Sequence, residues 1–274
     1  MSGLFAVIGD PIDHSLSPNI HSAAFRELNL GCSYIAYRIP KGQLKSGIEG
    51  LKKIQVSGFN VTVPHKVEMV KHADKLDESC SLIGAVNTVE NKDGVLKGYN
   101  TDMDGFLDPF KKKGIPIKDL KVLLLGAGGA ARAIVAGFAK EKAGEITIAN
   151  RTVQKAEELS EFSKENGLDA THVGVAEVGD SAKNYDIVVN ATSVGLKNER
   201  SPISLDSLRG DAIVYDIVYM PMNTDFIKRA KERGARIIFG YEMLLGQAVR
   251  AFEIWHDVKA PYDAMKKALL GGGV

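Results

Sequence analysis

The chain is poor in most of the features that mark a specialised class of protein. It has two cysteines in 274 residues, Cys32 and Cys80, and they show no CxxC spacing. Two such thiols cannot build a disulfide framework, so reduced thiols and a cytoplasmic setting are expected. Excess charge of one sign is also missing: 35 Lys+Arg face 34 Asp+Glu, a formal net charge of +1. No large field then steers the chain to nucleic acid or anionic membrane, and neither is expected as a partner. No apolar run approaches the roughly 18–20 residues that cross a bilayer. The first residues have no basic region ahead of a long apolar core, so no secretory signal is expected. Nine prolines and 28 glycines are scattered without period, which excludes a collagen-like or low-complexity chain. The six histidines form no HxxxH or cysteine-paired spacing. No metal site is expected from them. A GxSxG elbow is absent, which argues against a serine hydrolase.

What remains is the balance of an ordinary globular chain, 45% hydrophobic and 25% charged. Its length favours two domains. Apolar strands and amphipathic helices alternate along it. Strands are expected at Leu4–Ile8, Tyr34–Ile39 and Gly58–Val63, with helices at Pro18–Asn29, Leu44–Ile54 and His65–Leu76. Gly84–Glu90 and Gly94–Tyr99 read as a strand pair turning at Asp93-Gly94. A cleaner βαβ rhythm then begins, with strands at Lys121–Leu125, Glu145–Ala149, Ile187–Asn190, Ile213–Asp216 and Arg236–Phe239. Helices are expected at Gly129–Lys140, Thr152–Asn166, Asp225–Arg233 and Glu242–His256, with a last one after Pro261. This alternation implies an α/β fold with parallel sheets covered on both faces. The domain boundary is placed near Asp102–Asp104, the second domain ending near Gly240.

The strongest local signal is the apolar strand Val122–Leu125 running into Gly126-Ala127-Gly128-Gly129-Ala130-Ala131 and then a helix. It fits GxGxxG/A in the strand-turn-helix context that dinucleotide binding needs. Gly126 allows the tight turn, Gly128 lets the backbone approach a pyrophosphate, and the helix N-terminus offers N–H groups to the anion. The next strand ends in Asn150-Arg151-Thr152, with Lys155 one turn later. An acid there would accept from a ribose 2′-hydroxyl, whereas cations suit a 2′-phosphate. The choice is NADP over NAD.

Three stretches of the first domain carry candidate chemistry. In His14-Ser15-Leu16-Ser17-Pro18, Ser17 and Pro18 read as a helix N-cap and first residue. Ser15 has no such use, and two hydroxyls there suit a substrate carboxylate. In Asn60-Val61-Thr62-Val63-Pro64-His65-Lys66, Pro64 is read as opening a helix, with Lys66 in its first turn. A cation there opposes the helix dipole, which marks it as functional and would lower its pKa. The third pair is Gly84-Ala85-Val86-Asn87-Thr88 with Tyr99-Asn100-Thr101-Asp102, whose polar residues also suit ordinary turn capping.

Together, HSLSP, NVTVPHK, GAVNT, NTD, GAGGAAR, NRT, NATSVG and the late GQA helix resemble the shikimate dehydrogenase family along nearly the whole chain. These are NADP-dependent oxidoreductases of aromatic amino-acid and chorismate biosynthesis, interconverting 3-dehydroshikimate and shikimate by hydride transfer. The resemblance implies an N-terminal α/β substrate domain (1–102, completed by 241–274) and a doubly wound, Rossmann-like NADP domain (103–240). The C-terminal helices would return to the first domain. It implies a shikimate site of Ser15, Ser17, Thr62, Lys66, Asn87, Asp102, Tyr219 and Gln247, with Lys66 and Asp102 as the catalytic pair. NADP would be held by Gly126, Ala127, Gly128, Gly129, Ala130, Asn150, Arg151, Thr152 and Lys155, with Ile217 and Gly240 near the nicotinamide and Glu78 nearby. Lys155 stands where the family often has arginine; it keeps the charge but not the bidentate fork, which softens the preference for NADP. Quinate as a second substrate, and a monomer or a homodimer, stay open. So do two roles for Lys66, as proton acceptor or mainly as hydrogen-bond donor to the developing alkoxide.

Overall fold

The structure, a computed structural model, describes residues 2–271. The chain divides into two compact units, one running to Gly105 and resuming at Leu245, the other formed by Phe106–Leu244.

The first unit begins with β1 (Ser2–Gly9), α1 (Ser17–Glu27), β2 (Gly31–Arg38), α2 (Leu44–Lys53) and β3 (Val56–Val61). Then come β4 (Lys75–Leu76), α3 (Glu78–Ile83), β5 (Thr88–Lys92), β6 (Val95–Tyr99) and the start of α4 (Asp102–Lys112), which from Phe106 belongs to the second unit. Its sheet has the order β2-β1-β3-β5-β6-β4. β1 pairs in parallel with β2 and β3, but β5 runs antiparallel to both β3 and β6. The expectation of purely parallel sheets therefore holds only for half of this one. The β5–β6 hairpin closes at Asp93-Gly94, where both residues have positive φ, +53° and +86°. That is the geometry a two-residue hairpin turn requires.

The segment after Pro64 is not the expected helix. Only Glu68–Lys71 forms a single 3₁₀ turn. The backbone around it is claimed by distant partners instead: Val86 N–H donates to Lys66 C=O and Asp74 N–H to Leu96 C=O, and β4 pairs with β6. Lys66 therefore sits in a turn, and the helix-dipole argument for its pKa falls away. α1 also begins one residue earlier than read, with Leu16 in the cap position and no side-chain cap. The Ser17 hydroxyl is spent on Tyr34 instead. α4 escaped the sequence reading because Gly105 and Pro109 interrupt its pattern.

The second unit contains β7 (Lys121–Leu125), α5 (Ala131–Lys140), β8 (Glu145–Asn150), α6 (Val153–Glu165) and β9 (Ala170–Gly174). These are followed by β10 (Ile187–Asn190), β11 (Ile213–Asp216), α7 (Asp225–Glu232), β12 (Arg236–Phe239) and the start of α8 (Gly240–His256), which from Leu245 belongs to the first unit. All its strands are parallel, in the order β12-β11-β10-β7-β8-β9. This is the doubly wound order of a Rossmann fold, with its topological switch between β7 and β10. β9 was not anticipated: it is an edge strand with only its end residues buried. The core is aliphatic, Leu123, Leu125, Val188 and Val214 all being fully buried with Phe226 and Ile227 of α7.

The last 27 described residues return to the first unit. α9 (Tyr262–Gly271) packs on α1. On α8, Trp255 donates its indole N–H to Val89 C=O at 2.9 Å and packs 5.0 Å from the Phe5 ring. Gly58 on β3 makes this docking possible, since a Cβ there would stand 2.5 Å from Trp255 Nε1. Gly58→Ala is expected to cost about 1–3 kcal/mol by overpacking, read from urea unfolding midpoints. Gly50→Ala, which meets nothing within 4 Å, is the control expected to hold or gain stability.

Candidate functional site

Lys66 is placed by the turn that follows β3. His65 N–H closes that turn onto Thr62 C=O at 2.9 Å, and Met69, fully buried, anchors it below. The His65 ring is buried as well, and its Nε2 lies 2.6 Å from the Ile39 carbonyl. That contact needs Nε2–H as donor, so His65 is an anchor for the turn. Lys66 Nζ then reaches Asp102 Oδ2 at 2.5 Å, with side chains 19% and 8% exposed.

Asp102 opens α4, and its second oxygen accepts from Asn87 Nδ2 at 2.8 Å. Asn87, just before β5, also donates to Thr101 Oγ1, while its Oδ1 accepts from Thr101 N–H at 2.8 Å and from the Thr88 hydroxyl at 3.0 Å. The chain of bonds continues through Asn60, which donates to Thr88 Oγ1 at 3.0 Å and accepts from the Tyr34 hydroxyl at 2.6 Å. Tyr34 in turn accepts from the Ser17 hydroxyl, and burial pushes its phenol well above its ordinary pKa. Ser17 N–H lies 3.3 Å from Ser15 Oγ. Five expected substrate residues, Ser15, Ser17, Lys66, Asn87 and Asp102, thus belong to one connected polar network. Asn60, Thr88 and Thr101, which lie in the candidate stretches without an expected role of their own, and Tyr34, which lies outside them, complete it.

Thr62 lies at the same carboxyl edge of the sheet, one residue past β3. Gln247 is buried on α8. Glu78 opens α3 behind an N-cap made by Asp77, so it belongs to the first unit with the expected substrate residues. Tyr219 lies in the second unit beyond β11, with its phenol pushed up by burial.

In the second unit the remaining candidates gather at the carboxyl ends of the strands. Gly126 has φ +106°, and a Cβ there would stand 2.9 Å from Ala191 C=O, so the turn after β7 passes tightly under the end of β10. Gly128 and Gly129 are the opposite: both are exposed, and a Cβ on either would meet nothing within 4 Å. An open backbone at the start of α5 is the cradle a pyrophosphate requires. Asn150 ends β8 next door, its amide folded onto Thr152 C=O at 2.9 Å. Arg151, Thr152 and Lys155 are exposed beside it, and neither cation is paired with an acid among the described residues. Ile217 and Gly240 touch: a Cβ on Gly240 would lie 2.5 Å from Ile217 C=O. The residues present therefore fit a phosphorylated dinucleotide. Among the described residues no group of His, Cys, Asp or Glu could hold a metal, and no helix is long and apolar enough to cross a membrane.

Three family models match the chain: Shikimate dehydrogenase substrate binding domain over residues 7–89, Shikimate / quinate 5-dehydrogenase over 110–199, and Shikimate 5′-dehydrogenase C-terminal domain over 240–270. A shikimate dehydrogenase (NADP(+)) of Nitrosopumilus maritimus is 74% identical over 272 residues, covering 99% of this chain and 100% of that one. A crystal structure of a shikimate dehydrogenase in complex with NADP+ matches with TM-score 0.93 at 37% identity, over 100% of this chain and 96% of the other. That of shikimate 5-dehydrogenase from Thermus thermophilus, in complex with NADP(H) and shikimate, gives 0.88 at 36% identity over 98% of both.

Behind the polar network the His21 ring stacks on Tyr34, centroids 4.5 Å apart and planes 2° from parallel. His21 is fully buried with neither ring nitrogen bonded, and burial, with His256 nearby, lowers its pKa to about 3. A folded pKa below the unfolded 6.5 means that the unfolded chain binds the extra proton between those values. Stability is then full above pH 6.5 and is lost as pH falls toward 3. His21→Phe, which keeps the stack, is expected to remove up to one proton of this slope, about 1.4 kcal/mol per pH unit. Urea unfolding across that range reads the change.

Proposed function

The chain belongs to the shikimate dehydrogenase family, and from that premise we propose how its own residues carry the reaction. It is an NADP-dependent oxidoreductase that interconverts 3-dehydroshikimate and shikimate, in the biosynthesis of chorismate and the aromatic amino acids. The observation that carries the assignment of roles is the short contact between Lys66 and Asp102, held from behind by Asn87.

Bound NADP supplies one thing, a nicotinamide carbon that accepts or gives the hydride. Everything else falls to the chain. Ser15 holds the substrate carboxylate, joined by Ser17 as its hydroxyl turns from Tyr34 to the anion, while Thr62, Asn87, Asp102, Tyr219 and Gln247 hold the ring hydroxyls. Lys66 acts at the oxygen that changes between carbonyl and hydroxyl. In reduction its Nζ gives a proton to that oxygen as charge builds there, and in oxidation it takes the proton back. Asp102 keeps the ammonium in place through Oδ2, while Asn87 holds its Oδ1.

Gly126, Ala127, Gly128, Gly129 and Ala130 take the pyrophosphate at the head of α5. Asn150, Arg151, Thr152 and Lys155 take the adenosine 2′-phosphate, where two cations and no acid favour NADP over NAD. Ile217 and Gly240 bound the nicotinamide, and Glu78 is assigned to the cofactor as well. The part to Gly105, completed from Leu245, is thus the substrate domain, and Phe106–Leu244 the NADP domain. Cys32 and Cys80, held as thiols rather than joined in a disulfide, support a cytoplasmic location; the assembly is a monomer or a homodimer.

Lys66→Ala should lower turnover at least about 100-fold, the usual loss when a positioned acid–base is removed, with NADPH affinity unchanged. Steady-state rates by nicotinamide absorbance, with fluorescence titration of NADPH, check both halves, and near-normal turnover would end the assignment. Arg151→Ala should raise KM for NADP+ about 10-fold, as loss of a charge-assisted bond would, and leave the KM for NAD+ unchanged. Equal changes for both cofactors would remove the 2′-phosphate from its role.

A further inference from the structure

One buried carboxylate has no part in the chemistry above. Asp216 ends β11, is fully buried, and has three donors aimed at it. Oδ1 accepts from Asn190 Nδ2 at 2.9 Å and from Val218 N–H at 3.0 Å, and Oδ2 accepts from the Thr224 hydroxyl at 2.6 Å. Each donor belongs to a different stretch of chain. Asn190 ends β10, and its Oδ1 accepts from Thr192 N–H and Oγ1 while its Nδ2 also reaches Val194 C=O. Thr224 caps α7, receiving Ile227 N–H, and its methyl packs where a Cβ on Gly195 would fall. Val218 follows Ile217, whose own N–H donates to Asn190 C=O at 3.0 Å.

Two consequences follow from this wiring. Ile217 is clamped on both sides, by Asn190 before it and by the Asp216–Val218 bond after it. The loop after β10 is fixed as well, and that loop is what Gly126 packs against: Ala191 C=O and Thr192 Cγ2 both stand 2.9 Å from its missing Cβ. We propose that Asp216 is a positioning residue that sets, through Asn190, Val218 and Thr224, both the loop carrying Ile217 and Tyr219 and the floor of the glycine turn. This rests on the functional roles assigned above to Ile217, Tyr219 and the glycine turn.

The same burial that makes the three bonds strong also raises the Asp216 pKa to about 6, against the opposing pull of Thr224, Val218 and Asn190. No charged group enters that balance: the carboxyl faces Asn190 from β10, Thr224 from the cap of α7, and the backbone of its own loop. Below about pH 6 the carboxyl gains a proton and gives up acceptor capacity toward one of its donors. Loosening of the loops with acid is therefore a signature of the wiring.

The test compares wild type with Asp216→Asn, which keeps the shape and removes the charge. Expected for D216N are a KM for shikimate and a Kd for NADPH raised about 5- to 20-fold at pH 8, with kcat within about 3-fold and Tm within a few degrees. Across pH 5 to 8 the ratio of the two KM values should shrink toward 1 as the wild-type carboxyl protonates; titrations shared by both proteins cancel in that ratio. Unchanged KM and Kd would overturn the proposal, and so would a fall in Tm alone, which is what a merely structural carboxylate would give. If D216N does not fold, Thr224→Val against Thr224→Ser decides: the valine should raise KM and Kd and the serine restore them, and equal values for the two overturn the proposal. Wild type without shikimate turnover would indict the assigned reaction, while the NADPH titration would still judge Asp216.

Discussion

Lys66 and Asp102 face each other with little water around either, and a charge pair in that setting survives only if its other valences are filled. Asn87 fills them. Its amide meets Asp102 on one side and the Thr101 backbone and Thr88 hydroxyl on the other, so the pair cannot be separated from the chain that carries Asn87. The sheet of the first unit is laid out to meet this demand. Thr62 leaves β3 at the carboxyl edge, Asn87 enters β5 at that same edge because β5 runs backwards, and β6 returns to it with Asn100 and Asp102. The antiparallel hairpin is thus the means by which a mostly local sequence, residues 84–102, delivers Asp102 to one lysine with Asn87 and Asn100 behind it.

The second unit reaches its ends by other means. Its candidate surface is mostly backbone: a glycine turn whose tight half presses on β10 and whose open half faces solvent, and a glycine at the head of α8 resting on Ile217. Precision there depends on loops, and loops are held by side chains that satisfy each other beneath them. A carboxylate with three neutral donors does for this unit what the amide of Asn87 does for the other.

Much of this could be read in the residues. The β7 turn, the NRT stretch and the βαβ rhythm were legible because hydrophobic periodicity and glycine geometry are local properties. Lys66 was singled out for a wrong reason, a helix that long-range pairing with Val86, Leu96 and β6 prevents from forming. Tyr34 and Asp216 could not be singled out by spacing, since each acts only through partners far along the chain or through loops that meet in space. Edge strand β9 was missed because an edge needs little apolar surface to be held.

The first unit is finished by residues that follow the second: Trp255 and α9 close over β1, β3 and α1 only once everything between has been made. During synthesis the glycine-turn unit, contiguous from Phe106 to Leu244, can complete its sheet while the lysine-bearing unit still has a bare flank. Translation therefore sets an order of assembly in which the half that begins first is the half that matures last. The aromatic cluster of Phe5, Phe25 and Phe252 stays open until α8 has been made.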